Sequence, residues 1–305
     1  MLAATSGGNA GSPMTFVSTP TPVPQELRRR APTAASLTVA PTDIVRGSGT
    51  GAISIGYYEG YNSGRKCLFQ DALQIDTSKF THIHFGFGTL TPSFDVETGD
   101  IRSTYNFGEF KKIKGAKRIL SFGGWDFSTM PETYQIFRNG VKPANRLVMA
   151  QKIAAFIKDN NLDGVDIDWE YPGAPDLPDF DPGTKEDGPN YLAFLAVLKN
   201  LLPGKTVSIA APASYWYLKQ FPIAQIGKLV DYIVYMTYDL HGQWDANNGY
   251  SQEGCDDGNC LRSQVNLTET KHSLAMITKA GVPGNKIIVG VTSYGRSFKM
   301  AKEGC

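Results

Sequence analysis

Long apolar runs are missing from this chain of 305 residues. None approaches the roughly 18 consecutive apolar residues that a membrane-spanning helix needs, so no membrane partner is expected. Charge of one sign is missing as well. Thirty basic and 29 acidic residues leave a net charge of +1, which supplies no basic surface for nucleic acid. A secretory leader is not visible either, because MLAATSGGNAGSP has neither a positive n-region nor an apolar core. Cysteine is scarce, with four in all. Cys255 and Cys260 bracket a Gly/Asp/Asn-rich loop, GCDDGNC, and are close enough to close a small disulfide ring. A metal site is the other use of such a pair, but it lacks a nearby His and the usual paired spacing. His82 and His84 share a strand face, and two histidines alone do not make a metal site. No metal and no cofactor is expected. The disulfide favours a secreted, extracellular setting, and the sequon Asn266-Leu267-Thr268 is compatible with one.

What is present falls into two parts. Residues 1–51 are rich in Ala, Pro, Thr, Ser and Gly, with PTPVPQELRRRAPTAAS in the middle. Such a composition buries too little apolar surface to fold and reads as a linker, with Arg28 to Arg30 as a solvated charge cluster. From residue 52 short apolar runs recur: Ile53 to Tyr58, Phe80 to Phe87, Arg118 to Phe122, Leu162 to Trp169, Thr206 to Ala211, Val230 to Thr237 and Lys286 to Val291. Helical periodicity is expected over Pro143 to Asn160 (Leu147, Met149, Ile153, Phe156, Ile157), Asn190 to Leu202, and Asn266 to Ala280. Nearly continuous apolar strands alternating with helices imply a parallel sheet covered by helices. Gly56-Tyr57-Tyr58-Glu59-Gly60 is not the Gly-rich phosphate turn of an open doubly wound sheet. Polar and aromatic residues gather at the C-terminal strand ends, as in a closed (β/α)8 TIM barrel. The fold class is therefore α/β, with residues 52–305 forming the barrel. Seven strands are visible and fourteen residues follow Val291, so the chain is expected to stop before an eighth strand.

Leu162 to Pro172 reads LDGVDIDWEYP. Strand alternation puts Asp166, Asp168 and Glu170 on one face and Val165, Ile167 and Trp169 on the other. Three carboxyls in a row on the inside of a sheet cannot all ionise, so at least one pKa must rise. Folding alone gives no reason for this arrangement, whereas acid catalysis does. Asp163 faces away from the other three and reads as a structural residue bonding nearby backbone.

These residues resemble a known family. DGVDIDWEYPG is similar to the DxxDxDxE signature of glycoside hydrolase family 18, the chitinases. Ser121-Phe122-Gly123-Gly124-Trp125 resembles the family's SxGG motif, Met236-Thr237-Tyr238-Asp239 its MxYD motif, and Ser293 to Phe298 its YGRSF segment. The CLRSxVNLTET stretch after Cys255–Cys260 is similar to the fungal subgroup related to killer-toxin chitinase subunits. The resemblance implies retaining hydrolysis of β-1,4-linked N-acetylglucosamine in chitin or chitooligosaccharides, with the substrate's acetamido oxygen as nucleophile. It makes Glu170 the acid/base and Asp168 the group that orients the acetamido N–H. Asp166 would share a proton with Asp168, and Tyr238 would bind the acetamido oxygen. Asp239 would contact the sugar that the acid protonates.

Tyr57, Phe87, Trp125 and Tyr294 are expected to meet sugar, and Gly123, Gly124 and Met236 to shape the site. Arg296 could contact hydroxyls or pair with a carboxylate. Trp216 and Tyr217 stay undecided, and His241 reads as a loop histidine. The family's α+β insertion after the seventh strand and its eighth-strand tryptophan are not in this sequence, so this polypeptide is expected to be an impaired form of an active, monomeric endochitinase. A non-catalytic chitin-binding lectin or toxin subunit, and an endo-N-acetylglucosaminidase, are the alternatives on the same scaffold. Retention of Glu170, Asp168 and Tyr238 favours the enzyme over the lectin.

Overall fold

The structure, a computed structural model, describes residues 52–177, 181–251 and 254–298. The linker assigned to residues 1–51, and Cys305, lie outside the described residues. Seven strands run parallel in one curled sheet: β1 (Ile55–Glu59), β2 (His82–Leu90), β3 (Lys117–Gly123), β4 (Gly164–Asp168), β5 (Thr206–Pro212), β6 (Tyr232–Met236) and β7 (Ile287–Val289). Each pairs with its neighbours in chain order. This is the strand order of a (β/α)8 barrel short of closure among the described residues.

The covering helices are α1 (Ile101–Phe110), α2 (Arg146–Asp159), α3 (Asp187–Leu201), α4 (Ile223–Leu229) and α5 (Leu267–Lys279). Short helical turns at Gly124–Thr129, Gln135–Gly140 and Tyr215–Leu218 complete the layer. The outward strand residues meet these helices. Ile83, Phe85, Val165, Ile167, Val207 and Ile209 are fully buried, facing Phe107, Ile153, Phe194 and Leu198. Trp169 lies against Phe137 and Tyr191, with ring centroids 5.9 and 5.3 Å away. Burying such rings is worth on the order of 2–3 kcal/mol each relative to exposure.

Several boundaries differ from the sequence expectation, each for a physical reason. α2 begins at Arg146 because Lys142 to Asn145 form a turn after the Gln135–Gly140 helix, which leaves Pro143 outside. Leu147, counted among the apolar positions of α2, is 51% exposed. α3 begins at Asp187, three residues early. The Asp187 carboxylate accepts hydrogen bonds from the backbone N–H groups of Gly173 and Thr184 and from the Thr184 hydroxyl, fixing the chain there. α5 starts one residue after Asn266, whose side-chain oxygen caps the Glu269 N–H at 3.1 Å. The sequon asparagine is thus engaged as a helix cap. α1, capped by Asp100 on the Ser103 N–H, was not anticipated. Neither was the Val96–Glu97 strand that pairs antiparallel with the end of β2.

Asp163 behaves as expected. It leaves the acidic column and accepts hydrogen bonds from the Arg118 backbone N–H at 2.8 Å and from its Nε at 3.0 Å. The Ile167→Ala variant should lose about 2–5 kcal/mol of unfolding free energy in urea titrations. Leu147→Ala should stay within about 0.5 kcal/mol, the range of exposed positions.

Candidate active site

The acidic column lies where β4 ends. Strand register sets Ser121 of β3, Asp166 of β4 and Ser208 of β5 side by side. Asp166 is fully buried. Its Oδ2 accepts hydrogen bonds from the hydroxyls of Ser121 (2.6 Å) and Tyr57 (3.1 Å), and its Oδ1 from Ser208 (2.7 Å). Burial pushes this carboxyl up, but His84, Ser121 and Ser208 outweigh it and hold Asp166 below the usual carboxylate value. His84 Nδ1 stands 3.6 Å from Oδ2, too long for a strong hydrogen bond. The three hydroxyls are therefore the firm contacts.

Asp168 and Glu170 are different. Both are nearly inaccessible, and Asp168 Oδ1 and Glu170 Oε1 have no hydrogen-bond partner. Burial, then the charges of Glu170 and Asp166, pushes Asp168 well above its ordinary value. Burial likewise pushes Glu170 up to about 7; Tyr171 opposes the rise, and Asp239 and Asp126 add to it. At least one proton thus resides on this pair near neutrality, while Asp166 stays charged. No hydrogen bond joins Asp166 to Asp168 among the described residues. The Asp166 oxygens accept from the three hydroxyls instead.

The strand ladder ends at Asp168, so Glu170 lies just beyond it rather than on the strand. Its backbone N–H donates to the Ser128 hydroxyl (3.0 Å), on the short helix that follows β3. Gly123 has φ 109°, and a Cβ there would come within 2.2 Å of the Asp168 carbonyl oxygen. Gly124, at φ 83°, approaches the Phe87 ring. The glycines therefore admit the end of β4 and the Phe87 ring.

Tyr238 follows β6. Its hydroxyl is pushed up by burial, then by Asp168 and Glu170, so it remains an O–H donor beside both. Tyr232 of β6 reaches His84 in the interior, and period-2 alternation puts Met236 on that same face, nearer the strand's C-terminal end. Met236 is buried and Trp125 half-buried. Asp239 accepts hydrogen bonds from the Tyr294 hydroxyl and from Arg296 Nε, each at 2.7 Å. The Arg296 guanidinium also lies 4.6 Å from the centre of the Trp244 ring. Of its two anticipated uses, Arg296 therefore takes the carboxylate. Tyr217 stacks on Tyr171 with centroids 4.4 Å apart. Trp216 gives its indole N–H to Asp176 and has Lys219 over its ring.

Three contributors escaped the sequence reading. Ser128 and Ser208 are lone serines with no motif around them. Gln264, buried, occupies the unassigned position of the CLRSxVNLTET stretch. Its Oε1 accepts from the Asp239 N–H and its Nε2 donates to the Tyr294 carbonyl, joining the loops after β6 and β7. His241 is not a simple loop residue. It is buried, with Nδ1 2.9 Å from Asp245 and Nε2 2.9 Å from Glu269. Cys255 and Cys260 form a disulfide, so their sulfurs are bonded to each other. Cys67 is a free, exposed thiol.

A parallel barrel sheet carrying buried carboxyls at its C-terminal strand ends is a β/α barrel with groups placed for acid–base chemistry. The sequence profile of Glycosyl hydrolases family 18 matches residues 53–304, and the chain belongs to that family. It is 61% identical over 264 residues to the secreted chitinase LysM12 of Penicillium expansum, a match covering 86% of this chain and 18% of that protein. It is 44% identical over 240 residues to the killer toxin subunits alpha/beta of Kluyveromyces lactis, covering 78% of this chain and 20% of the relative. The chain therefore spans about a fifth of the length of these relatives. Among solved structures, the Group IV chitinase of Ostrinia furnacalis superposes with a TM-score of 0.63 at 26% identity, covering 78% of this chain and 66% of that one. The structure of that enzyme with allosamidin is also similar.

The His241 bridge gives a pH signature. Burial lowers the pKa of this imidazole, but Glu269 and Asp245 outweigh it and raise it above the ordinary value of 6.5. The stabilisation is fully present below that value and is lost as pH rises through the higher folded one. In calorimetry from about pH 5 to about pH 9, the Tm gap between wild type and His241→Gln should shrink with rising pH.

Proposed function

We propose that residues 52–305 are the catalytic barrel of a chitinase. It hydrolyses β-1,4 linkages between N-acetylglucosamine units with retention of configuration, as a secreted monomer acting on chitin or chitooligosaccharides. The observation that carries this reading is the Glu170 carboxyl, pushed to about 7 by burial and left with an unpartnered oxygen beside a second strained acid, Asp168. A general acid needs a pKa near working pH, so that it holds a proton and can still release it.

Glu170 delivers its proton to the glycosidic oxygen as that bond breaks. The acetamido oxygen of the same sugar attacks the anomeric carbon and forms an oxazolinium ion, so no glycosyl-enzyme is made. Asp168 accepts the acetamido N–H and balances the positive charge that develops. The Tyr238 hydroxyl donates to the acetamido oxygen and aligns it. Water then enters, Glu170 takes its proton, and the ring opens with the original configuration restored. Asp166 keeps a fixed negative charge behind Asp168. Asp239 holds Tyr294 and Arg296 in place, and Tyr57, Phe87 and Trp125 offer ring faces to the sugar. Retention of the acid and of Tyr238 favours turnover over a binding-only role. The relative named as a secreted chitinase and the Cys255–Cys260 disulfide support an oxidising, extracellular setting.

Release of fluorophore from a chitooligosaccharide glycoside tests this. Glu170→Gln should reduce kcat by about 100-fold or more, the range for removing a general acid. The wild-type rate should fall as pH passes through about 7, where Glu170 loses its proton. A Glu170→Gln variant that keeps wild-type turnover would overturn the assignment.

A further inference from the structure

Beneath the proposed catalytic pair, an imidazole nitrogen faces a charged group without bonding to anything else. His84 is fully buried on β2. Its Nε2 lies 2.7 Å from the Tyr232 hydroxyl. Its Nδ1 has no hydrogen bond and stands 3.6 Å from Asp166 Oδ2. The neighbours facing the ring are few. Tyr57 packs at 4.7 Å and Tyr232 at 6.0 Å between centroids, His82 precedes it on the same strand face, and Asp166 is the only carboxylate within 4 Å of it among the described residues.

Two tautomers are open to a neutral imidazole here. If Nε2 carried the proton, the Nδ1 lone pair would face the Asp166 carboxylate, and the two would repel. If Tyr232 donates to Nε2, the proton sits on Nδ1 and faces the carboxylate, which attracts it. The second arrangement gives Nε2 a donor and turns a proton rather than a lone pair toward the carboxylate.

The other donors to Asp166 cannot do what His84 does. The hydroxyls of Ser121, Tyr57 and Ser208 can turn and accept as readily as donate. They would serve a protonated Asp166 as well as a charged one. An Nδ1–H can only donate, so it distinguishes the two states. We infer that His84 is a positioning residue for the hydrolysis. It carries its proton on Nδ1 and closes on Asp166, keeping that carboxylate charged while the mobile proton stays with Asp168 and Glu170. This rests on the chitinase reading above for its kinetic consequence, though not for the tautomer.

The experiment uses the full chain labelled with 15N-histidine, in which only four side chains report. The resonance missing from His84→Asn identifies His84. The expected spectrum has a protonated Nδ1 and an acceptor Nε2. Kinetics supply the second readout. His84→Leu should lower kcat about tenfold, equal to about 1.4 kcal/mol of activation free energy, with KM within about twofold. The acid limb of its pH profile should move to higher pH, because Asp166 then protonates more easily. His84→Asn presents an amide N–H where Nδ1 was and should recover most of the rate and the original limb. A lone pair on Nδ1 would overturn the assignment. So would equal losses in the Leu and Asn variants with an unmoved acid limb. The nitrogen shifts need no substrate, so a wild type without turnover would sink the chitinase reading and leave the tautomer to decide His84.

Discussion

Removal of water from three neighbouring carboxyls is the constraint from which the rest of the site follows. A carboxylate taken out of water is stable only where the protein replaces its solvation, and the barrel does so for one of the three. Asp166 collects hydroxyls from β1, β3 and β5, which only a closed or nearly closed curl of strands can bring to one point. Its neighbours receive no comparable set of donors. Asp168 and Glu170 are buried beside that fixed charge, and the proton they need is retained rather than lost to solvent. The inner Asp is thus a built-in anion, and the outer pair is a proton store facing the open end of the strands.

The surrounding structure serves to keep those three groups in line. Gly123 lets the backbone at the end of β4 come against the end of β3. The short helix that follows then presents Ser128 to the Glu170 amide, so the acid's backbone is tied although it lies past the ladder. Across the site, Gln264 ties Asp239 to Tyr294, while Asp239 orders Tyr294 and Arg296. Behind that loop the Asp245–His241–Glu269 bridge fastens it to the first turn of α5. Backbone bonds, a buried amide and an ion bridge each fix a different segment. Groups held within a fraction of an ångström are what the proposed reaction, with no covalent enzyme intermediate, requires.

The parts that were legible in the sequence share a physical origin. Alternation along DGVDIDWEYP separates Trp169 and Ile167, which pack under helices, from Asp166 and Asp168, which face the interior, because the pleat has a strict period of two. The parallel arrangement was legible because strands buried on both faces lose their polar residues. Helix starts were less so. Whether α3 opens at Asp187 or at Asn190 depends on the Asp187 carboxylate finding Gly173 and Thr184, contacts that reach across a loop. The site partners that were missed, Ser128, Ser208 and Gln264, are ordinary polar residues whose meaning comes from register and loop closure. His241 looked solitary because its two carboxylates are four and 28 positions away. No local pattern encodes the second of these.

Reliance on hydroxyls to solvate Asp166 has a further consequence for how the interior is organised. Hydroxyl donors tolerate either charge state, so a floor made of Ser121, Tyr57 and Ser208 alone would let the proton drift inward to Asp166. On the proposed mechanism a proton lodged there would be remote from the glycosidic oxygen and would leave Glu170 unable to act as an acid. One donor that cannot reverse, set at the bottom of the column, biases the proton outward without adding a competing charge at the mouth. On the proposed tautomer His84 occupies that place, with Tyr232 at its far nitrogen from β6. The direction of proton flow in such a barrel is then set less by the acid itself than by which of its distant neighbours are unable to accept.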